Sequence, residues 1–159
     1  MEKQVQTMKL SELFSTDSIA VDLPPGSKED VLKTILKILD SKGLIKDFDQ
    51  ALEDVIEREK VMSTGIGNSV AIPHAYTNGV ERLVAGFFRT SAGVEFEALD
   101  GNTVDLFFII LGPKESRRDH IKVLAKISRL LNHEEFRNEL RNAADVDTVF
   151  SIFKRHGDR

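Results

Sequence analysis

The chain has 159 residues and a mass of 17.8 kDa, with 41% hydrophobic and 30% charged residues, which fits one globular domain with a core of its own. A formal charge of -4 gives no reason to expect a nucleic-acid partner, and the lack of cysteine excludes disulfides, thiolate chemistry and zinc sites with sulfur ligands. The longest apolar runs, such as LFFIIL at 106–111, are too short to span a bilayer, and the N-terminus MEKQVQTMKLSELF has no apolar signal core, so the expected setting is the cytoplasm without membrane insertion.

Ser11 is a candidate cap for a very short helix around Glu12 to Phe14, and IAVDL at 19–23 fits a strand ended by Pro24, Pro25 and Gly26. Ser27, with Asp30 three residues on, marks a helix start; Val31, Ile35, Ile38 and Leu39 recur at helical spacing, and Gly43 supplies the stop. Asp47 and Gln50 mark a second helix, with Ala51, Leu52, Val55 and Ile56 as its stripe and an end near Arg58 to Lys60. The middle is loop-rich, with glycines at 65, 67 and 79 and a short strand at 70–72. Strands are expected at 83–89 and 94–96, then a third in TVDLFFIILG whose continuous apolar run suits a sheet covered on both faces. Pro113 breaks that strand. Helices are expected over 117–131, 133–142 and 146–154, the first capped by Ser116. Helices, then strands, then helices predict one α/β domain over residues 1–159, with a mixed sheet flanked by helices on both faces.

The chemistry centres on STGIGNSVAIPHA at 63–75. It is not a phosphate-binding loop of the Walker type, since no Lys-Ser or Lys-Thr pair follows the glycines, and Val70 stands where a dinucleotide loop needs its third glycine. His74 follows Pro73, which fixes its own φ and biases Ile72 away from helix. Two readings are open for His74: a satisfied histidine beside a strand end, or a neutral imidazole that attacks phosphorus. His120 also has two readings, a histidine at the core's edge or a group facing an anion near a helix N-terminus. His133 reads as exposed at a helix start and His156 as part of a polar tail. HExxH is absent and the four histidines are dispersed, which argues against a metal site.

Glu59, Ile66, Gly67, Val70, Ala71, Ile72, Pro73, His74 and Ala75 fit, position by position, the signature of the fructose–mannitol class of enzyme IIA domains of the bacterial phosphoenolpyruvate-dependent phosphotransferase system. The chain resembles this class from about Leu10 to Phe153, and most of all its nitrogen-regulatory enzyme IIA proteins. The resemblance implies a histidine phosphotransferase without cofactor or metal. His74 would be the phosphorylated residue, His120 the second active-site histidine that stabilises the phosphoryl group, and Arg58 a basic residue of the same site. An HPr-type phosphocarrier protein would be the donor. An enzyme IIB or a regulatory target protein would be the downstream partner, with no nucleic acid involved. The absence of an attached IIB or IIC segment favours the regulatory role over sugar transport, and a non-catalytic binding module is the third reading. His74 and His120 should face one solvent-reachable pocket. Gly65 and Gly67 would let the loop approach a phosphoryl group, Ser69 and Ala75 would leave space for a partner, and Val70, Ile72, Tyr76 and Phe87 are candidates for an apolar docking rim.

Overall fold

The computed structural model describes residues 9–157. Helix α1 spans Leu10–Leu13 with Lys9 at its N-cap position, so Ser11 lies inside the helix and does not cap it. Strand β1 follows at Ile19–Leu23. Helices α2, Lys28–Ser41, and α3, Phe48–Val61, start where their caps predict: the Ser27 and Asp47 side chains accept from the backbone N–H groups of Asp30 and Gln50, each at 3.1 Å. The middle holds three short strands, β2 at Gly65–Gly67, β3 at Val70–Ala71 and β4 at His74–Tyr76. Strand β5 runs over Val84–Val94 and absorbs the start of the separate strand expected at 94–96; Glu95 and Phe96 lie outside it. Strand β6, Val104–Gly112, leads through a short 3-10 turn at Lys114–Ser116 into α4, Arg117–Leu131, then α5, Glu134–Asn142, and α6, Val146–Gly157.

The strands form one mixed sheet in the order β1-β5-β6-β3-β2, with β4 also pairing with β6. β5 and β6 are antiparallel, while β1 on β5, and β3 and β4 on β6, are parallel. Residues along β6 alternate between two cores. Leu106, Phe108 and Ile110 pack with α1, α4, α5 and α6; Phe107, Ile109 and Leu111 pack with α2 and α3. All six are fully buried, which explains why the run is apolar throughout, at about 1.5–3 kcal/mol for each such side chain.

Two parallel pairings to one strand position the site. β3 and β4 lie end to end along β6: Val70 pairs with Leu106 and Ala71 with Phe107, then His74 with Ile110 and Tyr76 with Gly112. Pro73, which lacks an N–H, fills the break, and its carbonyl accepts from Ile110 at 3.0 Å. His74 is therefore the first residue of a strand of its own, not a residue beyond a strand end. It sits level with the C-terminal end of β6, from which the chain turns into α4.

Candidate active site

The turn after β6 brings His120 over β4. Ser116 occupies the N-cap position of α4 but makes no side-chain cap; its hydroxyl instead donates to Pro113 O at 2.8 Å and closes the 3-10 turn. His120, on the first turn of α4, faces inward. Gly112 lies beneath it: a Cβ there would collide with the Ser116 hydroxyl and stand 3.7 Å from His120 Nδ1, so the close approach of α4 to the end of β6 needs glycine.

The ring centres of His74 and His120 are 5.9 Å apart. Arg58 arrives from α3, which covers the other face of the sheet, and its Nη2 lies 3.5 Å from His74 Nε2 while Nη1 donates to Met62 O at 3.0 Å. His74, His120 and Arg58 are thus gathered in one place. His133 is exposed and distant from them in the fold, at the start of α5. His156 belongs to α6, not to a polar tail, with Nε2 2.6 Å from a Glu139 carboxylate oxygen.

The two site histidines differ in their surroundings. His74 is half-buried, and its Nδ1–H donates to Ile72 O at 2.7 Å. That bond fixes the tautomer and leaves the lone pair on Nε2, the nitrogen beside Arg58. Burial pushes the His74 pKa below its ordinary value; the Ile72 bond opposes this, Arg58 adds to it and Glu59 opposes it. His120 is 1% exposed, and among the described residues neither of its ring nitrogens has a hydrogen-bond partner. Burial, and then the neighbouring His74, lower its pKa to about 4. Both imidazoles are therefore neutral at pH 7. The expectation of two rings in a solvent-reachable pocket holds for His74 only.

Several residues around the site differ from what the sequence predicts, and Glu59 has a structural role that the sequence does not show. Glu59, 6% exposed, anchors the end of α3 to β2: its carboxylate accepts from the Thr64 N–H and hydroxyl, both at 2.7 Å, and pairs with Lys28 at 2.9 Å. Gly65 serves packing, not approach to a phosphoryl group, because a Cβ there would meet Ala98 at 2.8 Å. Ala75 is buried, as are Val70, Ile72 and Phe87, so of the expected rim only Tyr76 faces solvent. Among the described residues, the other exposed large apolar side chains are Val61, Met62 and Ile66 around the α3–β2 connection, Leu99 on a loop bonded to β2 through its N–H to Gly65 O (3.1 Å), and Ile121 on α4. Val61 and Met62 fall at the end of the α3 apolar pattern, where a sequence stripe cannot tell a buried position from an open one. Among the described residues, no three His, Cys, Asp or Glu side chains converge as metal ligands, and no helix is long and apolar enough to cross a membrane.

Comparison with known proteins adds an independent line. Residues 12–156 match the family model described as "Phosphoenolpyruvate-dependent sugar phosphotransferase system, EIIA 2". The chain is 34% identical over 149 residues to the fructose-specific EIIABC component of Bacillus subtilis, covering 94% of this chain but only 24% of that longer protein. It is also 34% identical over 143 residues to the fructose-specific EIIA component of Haloferax volcanii, covering 90% of this chain and 93% of that one. The crystal structure of nitrogen regulatory protein IIA-Ntr from Neisseria meningitidis superposes with a TM-score of 0.79 at 29% identity, over 91% of this chain and 98% of that one.

Proposed function

The chain belongs to the EIIA 2 family of the phosphoenolpyruvate-dependent sugar phosphotransferase system and is a phosphoryl carrier with that family's histidine-phosphotransfer activity, and from this premise we propose that Nε2 of His74 is the carrier atom. One observation carries the assignment: Ile72 O holds Nδ1–H, so Nε2 keeps its lone pair and lies beside Arg58.

In the transfer, the Nε2 lone pair attacks phosphorus on a donor phosphohistidine. A new N–P bond forms on His74, the donor's N–P bond breaks, and its electron pair returns to the donor ring. The phosphorylated His74 ring carries positive charge, which the Ile72 carbonyl stabilises through Nδ1–H. Arg58 neutralises charge on the phosphoryl oxygens, and His120, neutral and unpartnered, offers its N–H to them. The donor in this reading is an HPr-type phosphocarrier protein in the cytoplasm. The exposed apolar group of Val61, Met62, Ile66 and Leu99 next to Arg58 supports docking of such a protein surface. The same reading takes residues 1–159 as one domain.

Downstream, we adopt the regulatory role, in which the two phosphorylation states bind target proteins differently; the likeness to the Neisseria regulatory protein supports it. Transfer to an enzyme IIB for sugar uptake is the second reading, favoured by the Haloferax relative. Length does not separate the two, because both of those proteins are matched over more than nine-tenths of their own extent.

The test mixes the protein with phosphoenolpyruvate, enzyme I and HPr. The wild type should gain about 80 Da in an acid-labile form, and His74→Ala should gain none. Nitrogen-15 NMR of the labelled ring should place phosphorus on Nε2. An unlabelled wild type with an active HPr overturns the carrier reading, and phosphorus on Nδ1 overturns the atom assignment. Rapid discharge to an enzyme IIB separates transport from regulation.

A further inference from the structure

Tyr76 lies two residues after His74 on β4, so both side chains leave the strand on the same side. His120 packs against both, with its ring centre 4.5 Å from that of Tyr76 at an interplanar angle of 42° and 5.9 Å from that of His74. Tyr76 itself is open to solvent, while His120 beside it is sealed. Two unpaired imidazole nitrogens shut away from water are an expensive arrangement, at about 1–3 kcal/mol for each unsatisfied polar atom. Water would satisfy them if it could enter, and Tyr76 is the side chain in ring contact with His120 that is itself exposed to solvent.

We propose that Tyr76 is a positioning residue for phosphoryl transfer: its ring closes the solvent side of His120 and reserves the unpaired imidazole N–H for a phosphoryl oxygen in place of water. This rests on the reading of His74 as the carrier. The cover is a matter of ring area, not of the phenol: among the described residues, no hydrogen bond joins the Tyr76 hydroxyl to the protein, and its ring packs on His120. It also gives His120 two settings. With His74 unphosphorylated, the imidazole is dry and neutral. Once a phosphoryl group is on His74, a dianion stands on the side of the imidazole that faces His74. The titratable groups facing His120 are His74 and Tyr76 on β4, with Arg58 of α3 beyond His74. β6 offers only Gly112, and Lys114, Glu115, Arg117, Arg118 and Asp119 are exposed.

The experiment compares the wild type with Tyr76→Phe and Tyr76→Thr, the latter chosen because a β-branched residue suits strand β4. The first readout is the NMR titration of the His120 imidazole in unphosphorylated protein. The second is the rate at which phospho-His74 hydrolyses once donor is removed. Tyr76→Phe should match the wild type in both. Tyr76→Thr should raise the His120 midpoint by about one pH unit or more, toward its ordinary value, and should shorten the phosphohistidine lifetime. An unchanged midpoint in Tyr76→Thr overturns the proposal, even if the lifetime changes. So does a Tyr76→Phe shift as large as that of Tyr76→Thr, which would move the role to the hydroxyl. If Tyr76→Thr does not fold, Tyr76→Leu is read by the same two measurements. A wild type that is never phosphorylated removes the carrier reading, while the titration still decides whether Tyr76 seals His120.

Discussion

Lowering the pH from 7 to 5 should cost this protein about 2 kcal/mol of folding stability through His120 alone. The folded imidazole titrates at about 4 and the unfolded one near 6.5, so between those values the unfolded chain binds more protons and stability falls with pH. The full gap corresponds to about 3 kcal/mol, of which about 2 kcal/mol is lost by pH 5. His74, also shifted down by burial, contributes in the same direction. Comparison with His120→Leu isolates the effect, since the carboxylates that titrate in the same range are common to both proteins. Urea unfolding at the two pH values should show the wild type losing about 2 kcal/mol more than the variant, with a further drop in Tm of about 4–8 °C. At pH 7, the variant should be as stable as the wild type or more so, because two unpartnered nitrogens have been replaced by an apolar group. It should nonetheless accept a phosphoryl group on His74 about a hundredfold more slowly. Equal pH dependence in the two proteins, within about 0.5 kcal/mol, would refute a sealed and neutral His120.

Arg58→Ala should slow phosphorylation about ten- to a hundredfold with little change in thermal stability, and should raise the His74 titration midpoint, because Arg58 is one of the groups lowering it; stopped kinetics and NMR titration check the two halves. Glu59→Ala should cost about 3 kcal/mol by urea unfolding, since it removes both bonds to Thr64 and leaves half-buried Lys28 with only its longer ion pair to Glu97 and the Phe96 ring, and a loss under about 0.5 kcal/mol would show that the anchor between α3 and β2 is dispensable.

The sequence by itself determined the elements whose cause is local. The caps Ser27 and Asp47 act within three residues of their partners, and the stripes of α2 and α3 follow helical spacing, so those helices were legible. The unbroken apolar run of β6 announced a strand buried on both faces, because each face must be covered whichever way a side chain points. The signature around Pro73 and His74 marked one residue of the site, and the family pattern named His120 and Arg58 with it. What the tertiary structure decided is everything that depends on register between distant segments. β3 and β4 could be seen as two strands split by Pro73 only once both were laid along β6, and that pairing alone puts Tyr76 level with Gly112 and under α4. The sealing of His120, the anchor role of Glu59 and the purpose of Gly65 are contacts between segments far apart in the chain, so no window of sequence contains them. The same physics reversed the docking rim: Val70, Ile72 and Phe87 are apolar because the sheet buries them, whereas Val61, Ile66 and Leu99 are apolar and remain open because no layer of the fold covers that edge.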